Sequence, residues 1–248
     1  MKPLSIIIPA LNEEGFLPTL LQSFIDQDYD GQYEIIVVDG ASTDGTVDVV
    51  ARFQAQLPNL SVYSCPRGIS KQRNFGVTKA RFDAIMFLDA DMWLPPNTLR
   101  KMAKHLQTKP NLIATPVLFT YAGKLVDIPL GLFGLYYFWR ARRTHPVVTG
   151  MCIITTKQIH DRIDGFDERV AFAEDVDYGL RAVRSGAHYY ILYDVIVRSS
   201  ARRFDKMGRL ALSKLWISWH KQTATHGPIR DASQYDYEFG NFKAKRRK

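Results

Sequence analysis

The chain has 248 residues, 46% of them apolar and 23% charged. That balance excludes global disorder and supplies the core for one large α/β domain or two small ones. The net charge of +8 is partly gathered in Lys243, Lys245, Arg246, Arg247 and Lys248. A run this short is most simply a solvated terminus, and without a nucleic-acid motif beside it no nucleic-acid partner is expected.

Cys65 and Cys152 lie far apart with no CxxC pair, which predicts reduced, buried residues of a cytoplasmic protein. Met1-Lys2-Pro3-Leu4 lacks the architecture of a leader peptide. No stretch reaches the roughly 18 apolar residues of a spanning helix. The expected location is therefore the cytoplasm, with the cytoplasmic face of a membrane as the place of any surface contact.

Leu4-Ser5-Ile6-Ile7-Ile8-Pro9 is a nearly continuous apolar run, which predicts a strand buried on both faces, as in a parallel sheet. Asn12 stands where it would cap a helix over about Glu13 to Gln27, with Leu17, Leu20, Leu21 and Phe24 on one face. The unit then repeats. Glu34 to Asp39 predicts a second strand, Ser42-Thr43-Asp44-Gly45-Thr46 is turn and cap chemistry, and Val47 to Gln56 is helical. Leu60 to Ser64 predicts a third strand and Ser70 to Lys79 a helix. Ala84 to Leu88 predicts a fourth strand closing in Asp89-Ala90-Asp91, and Pro95-Pro96-Asn97 opens another helix.

The second half is less regular. Pro116 to Pro146 is an excursion with an apolar heart, and Val147 to Thr155 predicts a strand. Asp164-Gly165-Phe166-Asp167-Glu168 is a turn, and Glu174 to Arg184 a helix stopped by Gly186. Two short strands around Tyr189 to Arg198 precede a last helix over about Lys206 to Thr223. The βα rhythm predicts an α/β fold, a doubly wound, mostly parallel central sheet flanked by helices in a single Rossmann-like domain over residues 1–230. The chain divides into a regular half, about 1–115, and a less regular half, about 116–230, with 231–248 a basic tail.

In such sheets ligands bind beyond the carboxyl ends of the strands. Three polar clusters fall there: Pro9-Ala10-Leu11-Asn12-Glu13, Asp39 with Ser42, and Asp89-Ala90-Asp91. Two carboxylates two residues apart at a strand end can point to one side, where a hard divalent cation, manganese or magnesium, relieves their repulsion. Helix capping accounts equally well for Asn12, Asp44 and Thr46, but not for Asp39, which belongs to the strand end.

The sequence resembles family-2 glycosyltransferases with the GT-A fold. The matching stretches occur in the family's order: Ser5 to Glu13, Ile36 to Thr46, Gly68-Ile69-Ser70-Lys71-Gln72-Arg73-Asn74, Asp89-Ala90-Asp91, and Asp164 to Glu168 with Glu174-Asp175. The resemblance implies transfer of a sugar from a nucleotide-diphosphate sugar, UDP- or GDP-linked, to a sugar or lipid-linked acceptor. It implies that Pro9, Ala10, Asn12, Glu13, Asp39 and Ser42 line the nucleoside pocket. Gly68, Lys71 and Arg73 would lie near the base or diphosphate. Asp91, with Asp89 and Ala90, would serve the metal and donor sugar, and Asp175 would be the general base. Glu174, Gly150 and Trp93 would lie on the acceptor side. Arg202 and Arg203 either clamp the diphosphate or form a solvated basic turn. One carboxylate acting opposite the leaving group implies inversion. Trp93 stands where some relatives carry a further polar ligand, and the Gln-x-x-Arg-Trp signature of processive synthases is missing, so one transfer per encounter is expected.

Val126 to Trp139 is rich in apolar and aromatic residues and is followed by Arg140, Arg142 and Arg143. Two readings fit residues 126–143: a buried helix, or an interfacial segment of a peripheral membrane enzyme. Two rival functions are a nucleotide-binding protein without catalysis and a sugar-phosphate nucleotidyltransferase. The latter is disfavoured because Ala10-Leu11-Asn12-Glu13-Glu14 stands where its glycine-rich loop would be.

Overall fold

A computed structural model describes residues 2–121, 127–231 and 233. Val126, the first residue of the apolar segment, and nearly all of the basic tail, residues 232 and 234–248, lie outside the described residues. In chain order the elements are β1 Leu4–Ala10, α1 Leu17–Ile25, β2 Tyr33–Asp39, α2 Thr46–Phe53, β3 Leu60–Ser64, α3 Ile69–Lys79, β4 Ala84–Leu88, β5 Met92–Trp93 and α4 Thr98–Thr108. There follow β6 Leu112–Tyr121, α5 Asp127–Ala141, β7 Cys152–Thr156, α6 Lys157–Arg162, α7 Glu174–Arg184, β8 His188–Ser200, α8 Arg202–Met207 and α9 Arg209–His226.

The strands form one sheet in the order β3-β2-β1-β4-β7-β6-β8-β5. β1 pairs in parallel with both β2 and β4, so the strand order reverses beside it and opens a crevice at its carboxyl end. Alternation along the parallel strands builds the two layers. Ile6, Ile8, Ile35, Val37, Met86 and Leu88 pack with the apolar faces of α1, α2 and α4. Ile7, Ile36, Val38, Ile85 and Phe87 pack with α3, α6 and α7. The expected α/β sheet flanked by helices is therefore present, and β6, β7 and β8 of the second half extend the same sheet.

Several expected elements differ. The first helix begins at Leu17, not Glu13, and Asn12 does not cap it. Asn12 has φ 56°, in the left-handed region, and its carboxamide is turned toward the loop after β2. The strand expected from Val147 begins only at Cys152, because residues 147–150 form an irregular approach. The two short strands around Tyr189 are one long strand, β8. Its pairing with β6 slips between Pro116 and Val117, from Pro116–Leu192 to Val117–Ile196. Proline supplies no N–H to the ladder, which makes that position a natural site for the irregularity. The last helix is two, broken at Gly208 with φ 81°. Cys152 is buried as expected, but Cys65 is only half-buried.

Gly76 lets α3 lie close on β1: a Cβ there would stand 2.4 Å from Ile7 Cγ2. Gly76→Ala is expected to destabilise the fold by about 1–3 kcal/mol despite its better helix propensity. A lowered urea midpoint with unchanged m-value checks this.

Candidate active site

The carboxyl ends of β1 and β2 are tied by a residue outside the set expected from sequence. Gln72 is buried on α3, and its Nε2 donates to the carbonyls of Ala10 and Val38, each at 2.8 Å. Gly40 leaves room for it; a Cβ there would lie 2.9 Å from the Gln72 amide. An uncharged polar residue facing inward from a helix without an apolar stripe was the available signal.

The loops after the two strands are laced together. The Asn12 N–H donates to Ser42 Oγ at 2.9 Å, and Asn12 Oδ1 accepts the Thr43 N–H at 2.8 Å. The Glu13 N–H donates to Thr46 Oγ1 at 2.8 Å, and the Asp39 carboxylate accepts the Ser42 N–H at 3.2 Å. Pro9, Ala10 and Asp39 are buried at this edge. Asn12 and Ser42 brace each other's loop, so their groups serve the shape of the crevice.

Arg73 lies at the centre with 0% exposure. Its Nη1 donates to Glu174 Oε1 at 2.8 Å, and its Nη2 to Asp89 Oδ1 at 3.1 Å and the Gly150 carbonyl at 2.9 Å. The guanidinium also stands 5.1 Å over the Phe166 ring, which stacks on Tyr178 at 4.1 Å. The neighbouring Asn74 holds Phe166 in place, accepting its N–H at 2.8 Å and donating to its carbonyl at 2.9 Å. Burial opposes the charge of Arg73, but Glu174, Asp89 and Asp175 outweigh it and its pKa is raised. Arg73 thus binds three chain segments together and is closed off from solvent.

Asp175 stands in the first turn of α7. Its Oδ2 accepts the Gly150 N–H at 2.5 Å and its Oδ1 the Val176 N–H at 2.8 Å. Gly150 is required on both sides: a Cβ would meet Arg73 Nη2 at 2.9 Å and Asp175 Oδ2 at 3.2 Å. Ala173, just before the helix, holds φ 58°, an uncommon conformation for a residue with a Cβ. Burial, with the adjacent Glu174 second, raises the Asp175 pKa to about 7, against the lowering effect of the Gly150 N–H.

A second arginine holds the other two carboxylates. Arg202 forks onto Glu13 at 2.8 and 2.6 Å, and its Nε lies 3.0 Å from Asp91 Oδ2. Its guanidinium stands 4.4 Å over the Phe16 ring. Ser200 Oγ donates to Asp91 Oδ2 at 2.5 Å. Arg203 approaches Asp89 Oδ2 at 3.9 Å. Burial raises the Glu13 pKa to about 7 despite Arg202, and burial likewise raises that of Asp89 despite Arg73 and Arg203. Arg202 and Arg203 are therefore part of this cluster, and the solvated-turn alternative does not describe them.

A cavity of about 240 Å³ adjoins the cluster. Its polar end is made by Arg73, Asp89, Gly150, Glu174, Asp175 and Arg203, and the rest is mostly apolar and lies between α5 and α9. Pro9, Ala10, Asp39, Glu13, Asp91 and Arg202 lie outside its lining, so Asp89 marks the border between crevice and cavity. Gly68 and Lys71, at the start of α3, do not line the cavity either. Nor does Trp93: it sits on the edge strand β5 with the Arg198 guanidinium 5.2 Å over its ring.

Among the described residues no group of three or more His, Cys, Asp or Glu side chains could hold a metal ion. Asp89 and Asp91 nonetheless fit a hard divalent cation. They supply anionic oxygen from one strand end, and magnesium-type ions commonly take only one or two carboxylates, completing the shell with water and substrate phosphate.

A crevice of acids at the switch point of such a sheet marks the class of nucleotide-binding α/β enzymes. The comparisons are specific: residues 5–163 match the profile of Glycosyl transferase family 2, and the chain belongs to that family. A dolichyl N-acetyl-alpha-D-glucosaminyl phosphate 3-beta-D-2,3-diacetamido-2,3-dideoxy-beta-D-glucuronosyltransferase of Methanococcus voltae is 26% identical over 228 residues, covering 83% of this chain and 70% of that protein. Staphylococcus aureus TarS, a poly(ribitol-phosphate) beta-N-acetylglucosaminyltransferase, is 33% identical over 107 residues, 42% of this chain and 18% of TarS. The crystal structure of TarS 1-349 with UDP-GlcNAc superposes with TM-score 0.66 at 22% identity, covering 81% of this chain and 58% of that one. The mannosyltransferase PcManGT of Pyrobaculum calidifontis, with GDP-Man and Mn2+, gives TM-score 0.68 at 22% identity, covering 86% and 64%. The fold is thus the GT-A type expected, and the chain is shorter than most of the relatives it matches.

Replacing Arg73 by Met should leave Glu174 and Asp89 buried without their cation and lower stability by about 3–5 kcal/mol. Equilibrium urea unfolding reads this directly, and an unchanged midpoint would show that Arg73 does not hold the three segments together.

Proposed function

We propose that this enzyme is an inverting, non-processive glycosyltransferase. It would move a sugar from a nucleotide-diphosphate sugar to an acceptor hydroxyl or phosphate, with a divalent cation and at a membrane surface. The observation that carries the reading is Asp175: a half-buried carboxylate with its pKa raised to about 7, at the polar end of a cavity that also takes in Asp89.

The roles follow from position. Pro9, Ala10, Glu13 and Asp39 would receive the nucleoside at the carboxyl ends of β1 and β2. Asp91 and Asp89 would hold the cation, which when bound neutralises charge on the departing diphosphate. Arg202 and Arg203 stand beside those carboxylates and would take diphosphate oxygens. Asp175 would accept the acceptor O–H proton as the oxygen attacks the anomeric carbon from the face opposite the diphosphate. The glycosidic bond to the diphosphate oxygen breaks as the new C–O bond forms, with inversion. Two amide N–H groups, from Gly150 and Val176, orient the base and leave lone pairs for that proton. The neighbours' UDP-GlcNAc and GDP-Man make uridine and guanosine the nucleosides to try first.

The membrane contact rests on α5. Ile128, Leu132, Phe133, Tyr136 and Trp139 are all 45–58% exposed, and Arg142 caps the Trp139 ring at 4.4 Å. Apolar side chains beside Arg140, Arg142 and Arg143 suit an anionic interface. The acceptor of the Methanococcus relative is named as a dolichyl phosphate derivative, which agrees with this placement. Among the described residues no helix is long and apolar enough to cross a membrane.

Asp175→Asn is expected to lower kcat by about 10²–10⁴-fold while nucleotide binding stays intact; undiminished transfer would remove Asp175 from its role. Because its pKa is raised to about 7 and the base must be unprotonated, kcat/KM should fall about tenfold per pH unit below 7 and level off above. A profile flat down to pH 5 would contradict the assignment. For the surface contact, the protein should float with anionic liposomes at low salt. Leu132→Glu with Trp139→Glu should abolish this, and equal recovery of wild type and variant would rule α5 out.

A further inference from the structure

The inner side of α5 presents a second apolar surface, distinct from the exposed one. Leu130, Gly134, Leu135 and Phe138 face the cavity, met from α9 by Trp216 and Ile217. Two polar clamps hold these helices together. At the start of α5, Asp127 is buried and ion-paired with Arg209 at the start of α9. Ten residues on, Tyr137 Oη and His220 Nδ1 lie 2.6 Å apart, and His220 Nε2 reaches the His145 carbonyl at 3.0 Å. Ten helical residues span about 15 Å, which separates the two clamps along α5, and the slot opens between the helices they hold.

The slot has two different ends. One is the polar set containing Asp175 and Arg203. Toward the other, Phe133 both lines the slot and is 50% exposed, on the same helix as the outward Leu132 and Tyr136. A lone sugar has no use for so much apolar wall. A single hydrocarbon chain with a polar head matches both the wall and the ends.

We propose that the slot between α5 and α9 binds the hydrocarbon chain of the acceptor, drawing it from the surface at Phe133 and delivering its polar head to Asp175. This rests on the transferase reading and adds that the acceptor is a single-chain amphiphile whose tail is recognised by the protein. Gly134 offers a clean obstruction. A Cβ there meets nothing within 4 Å, so a larger side chain enters the slot, and replacing a mid-helix glycine favours the helix.

The experiment uses the full chain carrying Trp93→Phe and Trp139→Phe, leaving Trp216 and Trp219 in the slot wall as the emitting tryptophans. It is titrated with 12-bromododecyl phosphate and with 12-bromododecanol, both below their aggregation concentrations. Saturable quenching is expected, with Gly134→Ala retaining it and Gly134→Leu weakening apparent affinity at least tenfold. Butyl phosphate should not compete. Tighter binding of the phosphate than of the alcohol would identify a phosphate head, and equal binding an uncharged one; either supports the slot. Absence of saturable quenching, or equal affinity in Gly134→Leu confirmed folded by circular dichroism, overturns the proposal. Manganese-dependent binding of UDP and GDP is measured on the same samples. If nucleotide binds and the chain does not, the slot alone fails. If the chain binds and no nucleotide does, the transferase reading fails and the slot stands.

Discussion

A guanidinium wholly removed from water must be answered by negative charge at short range, and at Arg73 three separate parts of the chain answer it. Asp89 comes from the end of β4, Glu174 from the start of α7, and the Gly150 carbonyl from the approach to β7. β4 is fixed in the sheet by its neighbours on both sides, but the other two segments are set less firmly by their own secondary structure. Residues 147–150 are irregular, and α7 follows an alanine in the left-handed region. The cation fixes where they meet. Asp175, one residue beyond Glu174 and bonded to the Gly150 N–H, takes its position from the same assembly. Arg73 thereby sets the distance between Asp175 and Asp89, at the edge of the crevice.

The second arginine works differently. Arg202 is bound to Glu13 and Asp91 together, and these carboxylates lie where the nucleoside and the cation are proposed to go. A divalent ion that took Asp91 Oδ2 would compete with Arg202 for that oxygen. An arginine displaced from Asp91 but still forked on Glu13 would face the phosphates, where bidentate geometry suits it. The short helix α8, carrying Arg202 and Arg203 after the end of β8 and closed off by Gly208, has no buried residue of its own. It is held by these charged contacts and by Phe204, whose ring meets Trp216 of α9 at 5.6 Å.

The first half of the fold was legible because its signals are local. Continuous apolar runs at Leu4 to Pro9, Glu34 to Asp39 and Ala84 to Leu88 can hardly be anything but buried parallel strands, and acids at their ends fall on one edge. The second half depends on partners distant in sequence. The slip of β8 against Pro116 needs knowledge of which strand lies beside it. Asn12 looked like a cap because a short polar residue preceded an apolar periodicity, yet its side chain found a better partner in the loop of β2. The resemblance put Arg73 near the base or diphosphate; its burial could not be read locally, because Glu174, its partner, lies roughly a hundred residues away. Trp93 gave no hint of its edge position, which follows from pairing with β8.

The apolar segment before Arg140 is the case where sequence periodicity had least to say. A helix that is apolar all round is ordinarily surrounded by protein or lipid. In α5 the inner residues line the slot and the outer ones are exposed, and Asp127 is its only fully buried residue. Periodicity cannot separate the two readings, because each predicts apolar residues on every face. The surroundings separate them: protein covers one side through α9, with two polar clamps, and leaves the other bare beside a row of arginines. An isolated exposed leucine would call for no explanation, but five large apolar side chains on one helix form a contiguous patch of the kind that marks an interaction surface. Such a helix has one face suited to an interface and the other to a cavity ending at Asp175. In the proposed arrangement it would separate the bilayer surface from Asp175 by the width of a single helix, a short path for an amphiphile that need never cross open water.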